Sequence, residues 1–294
     1  MPIAARTGMD IWYESFGDSA DPPLLLVMGL GGQAISWPDE FCQGFVDRGF
    51  FVIRFDNRDV GLSGRASGTP DPFAVMTAAA QGEPVDAPYL LTDMADDAFA
   101  VLDALGIGAA HVVGASMGGM IAQTMAITHP ERVLTLTSIM STTGQPDVGQ
   151  ADPEVLSVLL EPPAADREAV IEQAVRRVKA IGSPDQLDET RVREAAGAAY
   201  DRAFDPNGVV RQLTAVLASG SRAEGLASVT VPTLVIHGSA DRLVNPSGGQ
   251  RTAELVAGAQ LELIEGMGHD LPVVFWSRII EMVTRHAAQA ASTR

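Results

Sequence analysis

Cysteine, lysine and long apolar runs are nearly missing from this chain, and each shortage excludes something. Cys42 is the only cysteine among 294 residues, so no intrachain disulfide can form, and the redox compartment stays open. Its place just after Trp37-Pro38-Asp39-Glu40-Phe41 reads as that of a small core residue rather than a nucleophile. Lys179 is the only lysine, and 20 basic residues stand against 37 acidic ones for a formal net charge of −17. Nucleic-acid and anionic-membrane binders carry basic clusters, so neither partner is expected. No uninterrupted apolar run approaches the ~20 residues needed to span a bilayer. Met1 to Arg6 lacks the charged start and apolar stretch of a signal peptide, and a cytoplasmic protein is expected. With no H-E-x-x-H and no cysteine pair, no metal site is expected, and no cofactor is implied.

What the chain does have is apolar material, 46% of its residues, enough for a core covered on both faces. Short apolar runs flanked by Pro and Gly suit buried strands. Strands are predicted at Met9 to Phe16, Leu24 to Met28, Phe50 to Phe55, His111 to Val113, Val133 to Ile139, Thr233 to Ile236 and Leu261 to Ile264. Helices are predicted between them at about Asp39 to Arg48, Leu90 to Leu105, Met117 to Thr128, Gly248 to Val256 and Val273 to Ala287. Strands alternating with helices imply right-handed crossovers and a mostly parallel sheet with helices on both faces.

Between Ser141 and Ala227 the pattern changes. Asp166 to Ile181 has Val170, Ile171, Ala174, Val175, Val178 and Ile181 on one side of a helix. Further helices are predicted at Glu189 to Phe204 and Gly208 to Leu217, with Pro162-Pro163, Ser183-Pro184 and Asp205-Pro206 as punctuation. The expected organisation is an α/β core over 1–140 and 228–294, with 141–227 inserted as a helical cap over the sheet's active edge. A merely stabilising helical subdomain is the alternative. The stretch Ala66 to Pro88 is expected to be irregular.

Gly114-Ala115-Ser116-Met117-Gly118 fits G-x-S-x-G between a predicted strand and a predicted helix, the setting of a nucleophile elbow. The tight turn needs glycine at both ends and forces the serine into strained backbone angles. A serine hydroxyl needs a base. Of five histidines, His111, His129 and His286 lie on or at the ends of regular elements, and His237 follows a strand. His269, in Gly266-Met267-Gly268-His269-Asp270, sits in a glycine-rich loop and is the chosen base. Asp241, in a loop after a strand, is the chosen acid to fix the imidazole's tautomer; Asp270 is expected to point away, and Asp147 is the best substitute. Ser116, Asp241 and His269 then occur in the order Ser, Asp, His. The backbone N–H of Met117 and that of Leu30, with Gly31 as fallback, are the expected oxyanion donors.

Phe55 to Ser63, His111 to Gly119 and Gly266-Met267-Gly268-His269 together resemble the α/β-hydrolase superfamily, with the likeness running over nearly the whole chain. Trp37 to Phe41 and Val52 to Ser63 are similar to actinobacterial lipases, esterases and polyketide methylesterases. The resemblance implies an α/β-hydrolase fold and a serine carboxylesterase acting on a small or medium hydrophobic ester. Where many relatives carry His-Gly, this chain has Met28-Gly29; the donors are backbone groups and survive that change. Serine rather than aspartate at 116 argues against the haloalkane dehalogenase and epoxide hydrolase branches. Lactonase, thioesterase, perhydrolase and carbon–carbon hydrolase chemistry use the same serine constellation, and a non-catalytic ligand-binding protein is a further alternative. Gly29-Leu30-Gly31-Gly32-Gln33-Ala34 with Asp56 also fits a dinucleotide fingerprint, but Trp37-Pro38 intervenes before the helix.

Overall fold

A computed structural model describes residues 2–6, 8–159, 161, 164 and 166–292. Met1 and the Pro162-Pro163 pair lie outside the described residues. The chain opens with β1 (Ile3–Arg6), β2 (Met9–Phe16) and β3 (Pro23–Val27), then α1 (Asp39–Val46), β4 (Phe51–Phe55), α2 (Pro72–Gln81) and α3 (Leu91–Ala104). Next come β5 (Ala110–Ala115), α4 (Met117–Thr128) and β6 (Val133–Ile139). Among the described residues five helices follow before the sheet resumes: α5 (Pro153–Leu159), α6 (Arg167–Ile181), α7 (Glu189–Arg202), α8 (Pro206–Ser219) and α9 (Ala223–Leu226). The chain closes with β7 (Thr233–Gly238), α10 (Ser247–Leu255), β8 (Gln260–Ile264) and α11 (Val273–Ser292).

Among the described residues eight strands form one sheet in the order β1-β2-β4-β3-β5-β6-β7-β8. The pairs β1–β2 and β2–β4 are antiparallel, and every other pair is parallel. Side chains alternate across the pleat, so the parallel strands feed two cores at once. Leu25, Val27, Ile53 and Val112 pack with Met94, Phe99, Ile121 and Met125 of α3 and α4. Leu24, Leu26, Val52 and Val113 pack on the other face with Phe41, Phe45, Ile279 and Val283 of α1 and α11. Cys42 is buried in this second cluster, and desolvation pushes its thiol up to about 12.

Four elements depart from the sequence reading: α2, β1 and, inside the inserted block, the short helices α5 and α9. The stretch Ala66 to Pro88 is not irregular throughout, because it contains α2. Its ends are written in sequence: Asp71 caps the Phe73 N–H (2.9 Å), Pro72 opens the first turn, and Gly82 stops the helix at φ 70°. Only Val75 of α2 is buried, so an apolar stripe was missing. The edge strand β1 was also unforeseen, since it has only four residues.

The segment after β4 ties this sheet to the inserted helices. Asp56, fully buried, accepts from the N–H groups of Ala34 (2.7 Å) and Leu62 (2.8 Å) and pairs with Arg202 of α7 (2.7 Å). Those partners occupy both carboxylate oxygens, which removes Asp56 from the ribose-binding role of the dinucleotide reading. Asp59 pairs with Arg211 of α8 (2.9 Å) and accepts from the Tyr89 hydroxyl (2.6 Å). Arg58 clasps Asp97 of α3 with two hydrogen bonds of 2.6 and 2.8 Å. No described helix is long and apolar enough to cross a membrane.

Candidate active site

Parallel strands deliver their C-terminal ends to one edge of a sheet, where following loops can converge. Ser116 stands between β5 and α4 with φ 56° and ψ −121°, backbone angles that only a tightly held turn sustains. Its neighbours must be glycines for want of space. A Cβ on Gly114 would fall on the Gly118 backbone, and a Cβ on Gly118 would fall on the Val27 carbonyl. The turn is held from behind by Ser116 N–H to Ile139 O (2.9 Å) and by the Ser141 hydroxyl to Ser116 O (2.8 Å).

Asp241 comes from the loop after β7 and His269 from the loop after β8. The three side chains chosen from sequence meet. His269 Nε2 lies 2.9 Å from Ser116 Oγ, and His269 Nδ1 lies 2.7 Å from Asp241 Oδ2. The other Asp241 oxygen accepts from the N–H groups of Leu243 and Val244, both at 2.9 Å. Burial by itself would raise this carboxyl. Hydrogen bonds from His237 and His269, the His269 charge and the Val244 N–H together outweigh burial and hold it down at about 2.

The remaining candidates fall elsewhere. His237 is not beyond the strand but inside β7, fully buried, with Nε2 2.8 Å from Val244 O and 3.4 Å from Asp241 Oδ2. The strand runs two residues beyond the expected Thr233 to Ile236, and this brings the His237 ring up to Asp241. Asp147 pairs with Arg251 (3.3 Å) and stays exposed, away from His269. His111 bonds Thr135 (2.8 Å), His286 bonds the Pro232 carbonyl (3.1 Å), and His129 stacks edge-on against Phe99. Asp270 turns from the imidazole to Ser183.

The N–H groups of Leu30 and Met117, the expected oxyanion donors, have no hydrogen-bond partner among the described residues. The fallback is taken: Gly31 N–H donates to Gln212 Oε1 of α8 (2.9 Å), whose amide in turn donates to Arg58 O (2.7 Å). Gly29 allows the loop this close, since a Cβ there would stand 3.0 Å from Ser116 Cβ. Beside Gly31 lies a mostly apolar cleft of about 220 Å³, lined by Val60, Val170, Ala174, Tyr200, Phe204 and Val209 among others. A larger groove of about 480 Å³ lies at the N-terminal ends of β6 and β7, the opposite edge from Ser116, and lacks the groups needed for hydrolysis. Among the described residues no group of three or more His, Cys, Asp and Glu side chains is placed to hold a metal ion.

Comparison with known proteins identifies the family. The family model for the alpha/beta hydrolase fold matches residues 22–274. The chain belongs to the α/β-hydrolase fold family. It is 34% identical to rhodomycin D methylesterase DnrP of Streptomyces peucetius, covering 99% of both chains. It is also 34% identical to rhodomycin D methylesterase DauP of Streptomyces sp. strain C5, covering 98% of both. Among solved structures, a meta-cleavage product hydrolase from Pseudomonas fluorescens IP01 superposes with TM-score 0.76 at 22% identity, over 99% of this chain and 98% of that one. The esterase RhEst1 from Rhodococcus sp. ECU1013 gives TM-score 0.72 at 20% identity, over 99% and 98%. These two likenesses concern the fold.

Proposed function

We propose that this hydrolase is a serine carboxylesterase for a small or medium hydrophobic ester, with Ser116 as nucleophile, His269 as general base and Asp241 as the acid that orients it. The observation that carries the proposal is the continuous hydrogen-bonded run from Ser116 Oγ through both ring nitrogens of His269 to Asp241. In acylation, Ser116 Oγ attacks the ester carbonyl while His269 Nε2 takes its proton; Nδ1–H stays on Asp241. The carbonyl oxygen becomes an oxyanion facing the N–H groups of Leu30 and Met117, where losing one donor typically costs ~3 kcal/mol. The imidazolium then gives its proton to the departing alcohol oxygen as the C–O bond breaks. Water, deprotonated by His269, releases the acid and restores Ser116. The imidazole must enter the cycle neutral, because only a free Nε2 lone pair can take the Ser116 proton.

Helices α5 to α9 are assigned as a cap (residues 141–227), because α6, α7 and α8 wall the cleft beside Gly31. The apolar walls suit a hydrophobic acid portion. The two full-length relatives, both named methylesterases, favour a small alcohol such as methanol as the group released. The test compares wild type with Ser116→Ala on p-nitrophenyl esters from acetate to long acyl chains, and on methyl esters of hydrophobic acids. Turnover by wild type alone is the expected result, and equal rates for both proteins would defeat the assignment. Inactivity of both on every ester would move the ligand-binding reading ahead.

A further inference from the structure

The loop that carries His269 is held by the inserted helices as well as by the sheet. His269 N–H donates to the Ile181 carbonyl (2.7 Å) at the C-terminus of α6. A helix end leaves such carbonyls without intrahelical partners, so this bond satisfies both groups. Two residues further on, Ser183 makes a second connection. Its hydroxyl donates to Asp270 Oδ1 (2.6 Å) and accepts from Gly268 N–H (2.9 Å), and its own N–H donates to the same Asp270 oxygen (3.0 Å). The residues on both sides of His269 are thus bonded to one buried serine.

The two chains approach this closely because glycine stands on both. A Cβ on Gly268 would fall on the Gly182 backbone, and a Cβ on Gly182 would meet Val178 O at 2.6 Å and Asp270 Oδ2 at 2.8 Å. Gly182 has φ −74°, an angle open to any residue, so space rather than conformation demands glycine there. The helix that ends at this junction, α6, also presents Val170 and Ala174 to the cleft.

We propose that Ser183 and Asp270 are positioning residues for the His269 imidazole, linking the base to the helix that lines the substrate cleft. The inference rests on the reading of His269 as the base. His269 N–H sits one bond from the Cα that carries the ring, so a displacement of Ile181 or Ser183 passes directly into the distance between Nε2 and Ser116 Oγ. Pressure of a bound substrate on Val170 and Ala174 passes through the same helix to the same loop. A misplacement of about 1 Å in a reacting geometry can cost about 100-fold in rate.

The test uses the full chain and the variants Ser183→Ala, Ser183→Thr, Asp270→Ala and Asp270→Asn. Three quantities are read: kcat and KM on a p-nitrophenyl ester, the rate of covalent inactivation by a fluorophosphonate, and Tm. Inactivation reports how well Ser116 is activated, which a purely structural role would leave unchanged per folded molecule. Ser183→Ala and Asp270→Ala are expected to lose about 10- to 100-fold in kcat and in inactivation rate, with KM little changed. Asp270→Asn keeps an oxygen for both Ser183 donors and Ser183→Thr keeps the hydroxyl, so each should retain most of the rate. Wild-type inactivation rates in both alanine variants would overturn the proposal, as would Asp270→Asn falling as far as Asp270→Ala. Should the alanine variants not fold, Ser183→Cys, which keeps the volume but weakens both hydrogen bonds of the hydroxyl, decides: a loss of about 10-fold or more in inactivation rate supports the bridge, and a wild-type rate overturns it. Turnover undiminished in His269→Ala would defeat the reading of His269 as the base, whereas His269-dependent turnover with unaffected bridge variants defeats only the bridge.

Discussion

Replacing Asp241 by Asn probes the buried end of the site. The carboxyl sits at about 2 against an ordinary 3.8, because its hydrogen bonds and the nearby His269 outweigh the desolvation that would raise it. The folded-state value lies below the unfolded one. The stabilisation is therefore fully present above about pH 4 and is lost as pH falls through about 2. At ~1.4 kcal/mol per pH unit of separation, the gap amounts to about 2 kcal/mol at neutral pH. Asparagine cannot ionise, so the variant lacks this contribution at every pH. Its amide oxygen can still accept from Leu243 and Val244, which now share Oδ1, and this turns the NH₂ toward His269 Nδ1. Nδ1 must then accept, the ring proton moves to Nε2, and Nε2 can no longer take the Ser116 proton. A substitution of this kind in another Ser-His-Asp triad lowers kcat about 10⁴-fold, and a similar loss is expected here. Denaturant unfolding of both proteins at pH 7, 4, 3 and 2.5 checks the stability half of the argument. Wild type should lead by about 2 kcal/mol or more at pH 7, with the lead shrinking by that amount below pH 4. A lead that stays constant down to pH 2.5 would refute a carboxylate held ionised by its donors, whatever happened to kcat.

Two further predictions concern the body of the fold. Arg58→Leu leaves Asp97 buried without its cation and should cost about 3–5 kcal/mol in denaturant unfolding, whereas the double change Arg58→Leu with Asp97→Leu should recover much of that. If the double variant is no more stable than the single one, the loss is one of packing rather than of an unpaired charge. Cys42, buried and with its thiol pushed up to about 12, should not react with a thiol-specific disulfide reagent in native protein at pH 8 and should react at once after denaturation. Rapid labelling of native protein would show that α1 opens locally.

What could be read in advance divides by the range of the interaction involved. The apolar runs that became β3, β5 and β6 have short-range signals, and so do the Asp-Pro and glycine marks that bound the helices. The three residues of the candidate triad were legible for a related reason: each follows a strand of a parallel sheet, and parallel strands bring their following loops to one edge. Strand order together with the G-x-S-x-G turn and the glycine-rich loop at 266–268 then pointed to Ser116, Asp241 and His269. Nothing local marks Ser183 as a partner of Asp270, because 87 positions separate them and the bond exists only once α6 has packed over the sheet. The same holds for Gln212, which reaches Gly31 across 181 positions and removes that N–H from the set open to an oxyanion. Helix α2 escaped for the opposite reason: its end signals were present, but an exposed helix has no apolar stripe to announce it. The inserted helices touch the core through apolar residues such as Ala215 and Leu226, and also through buried polar pairs such as Arg202 with Asp56 and Arg211 with Asp59. Such pairs contribute less to net stability than to the choice of one arrangement, since an ill-placed partner leaves a charge buried and alone. Asp56 and Asp59 lie in the loop joined by Gln212 to Gly31, and Ser183 lies beside the base. The inserted helices are therefore fixed to both sides of Ser116, and their position over the cleft and the geometry of the reacting groups are set by the same contacts.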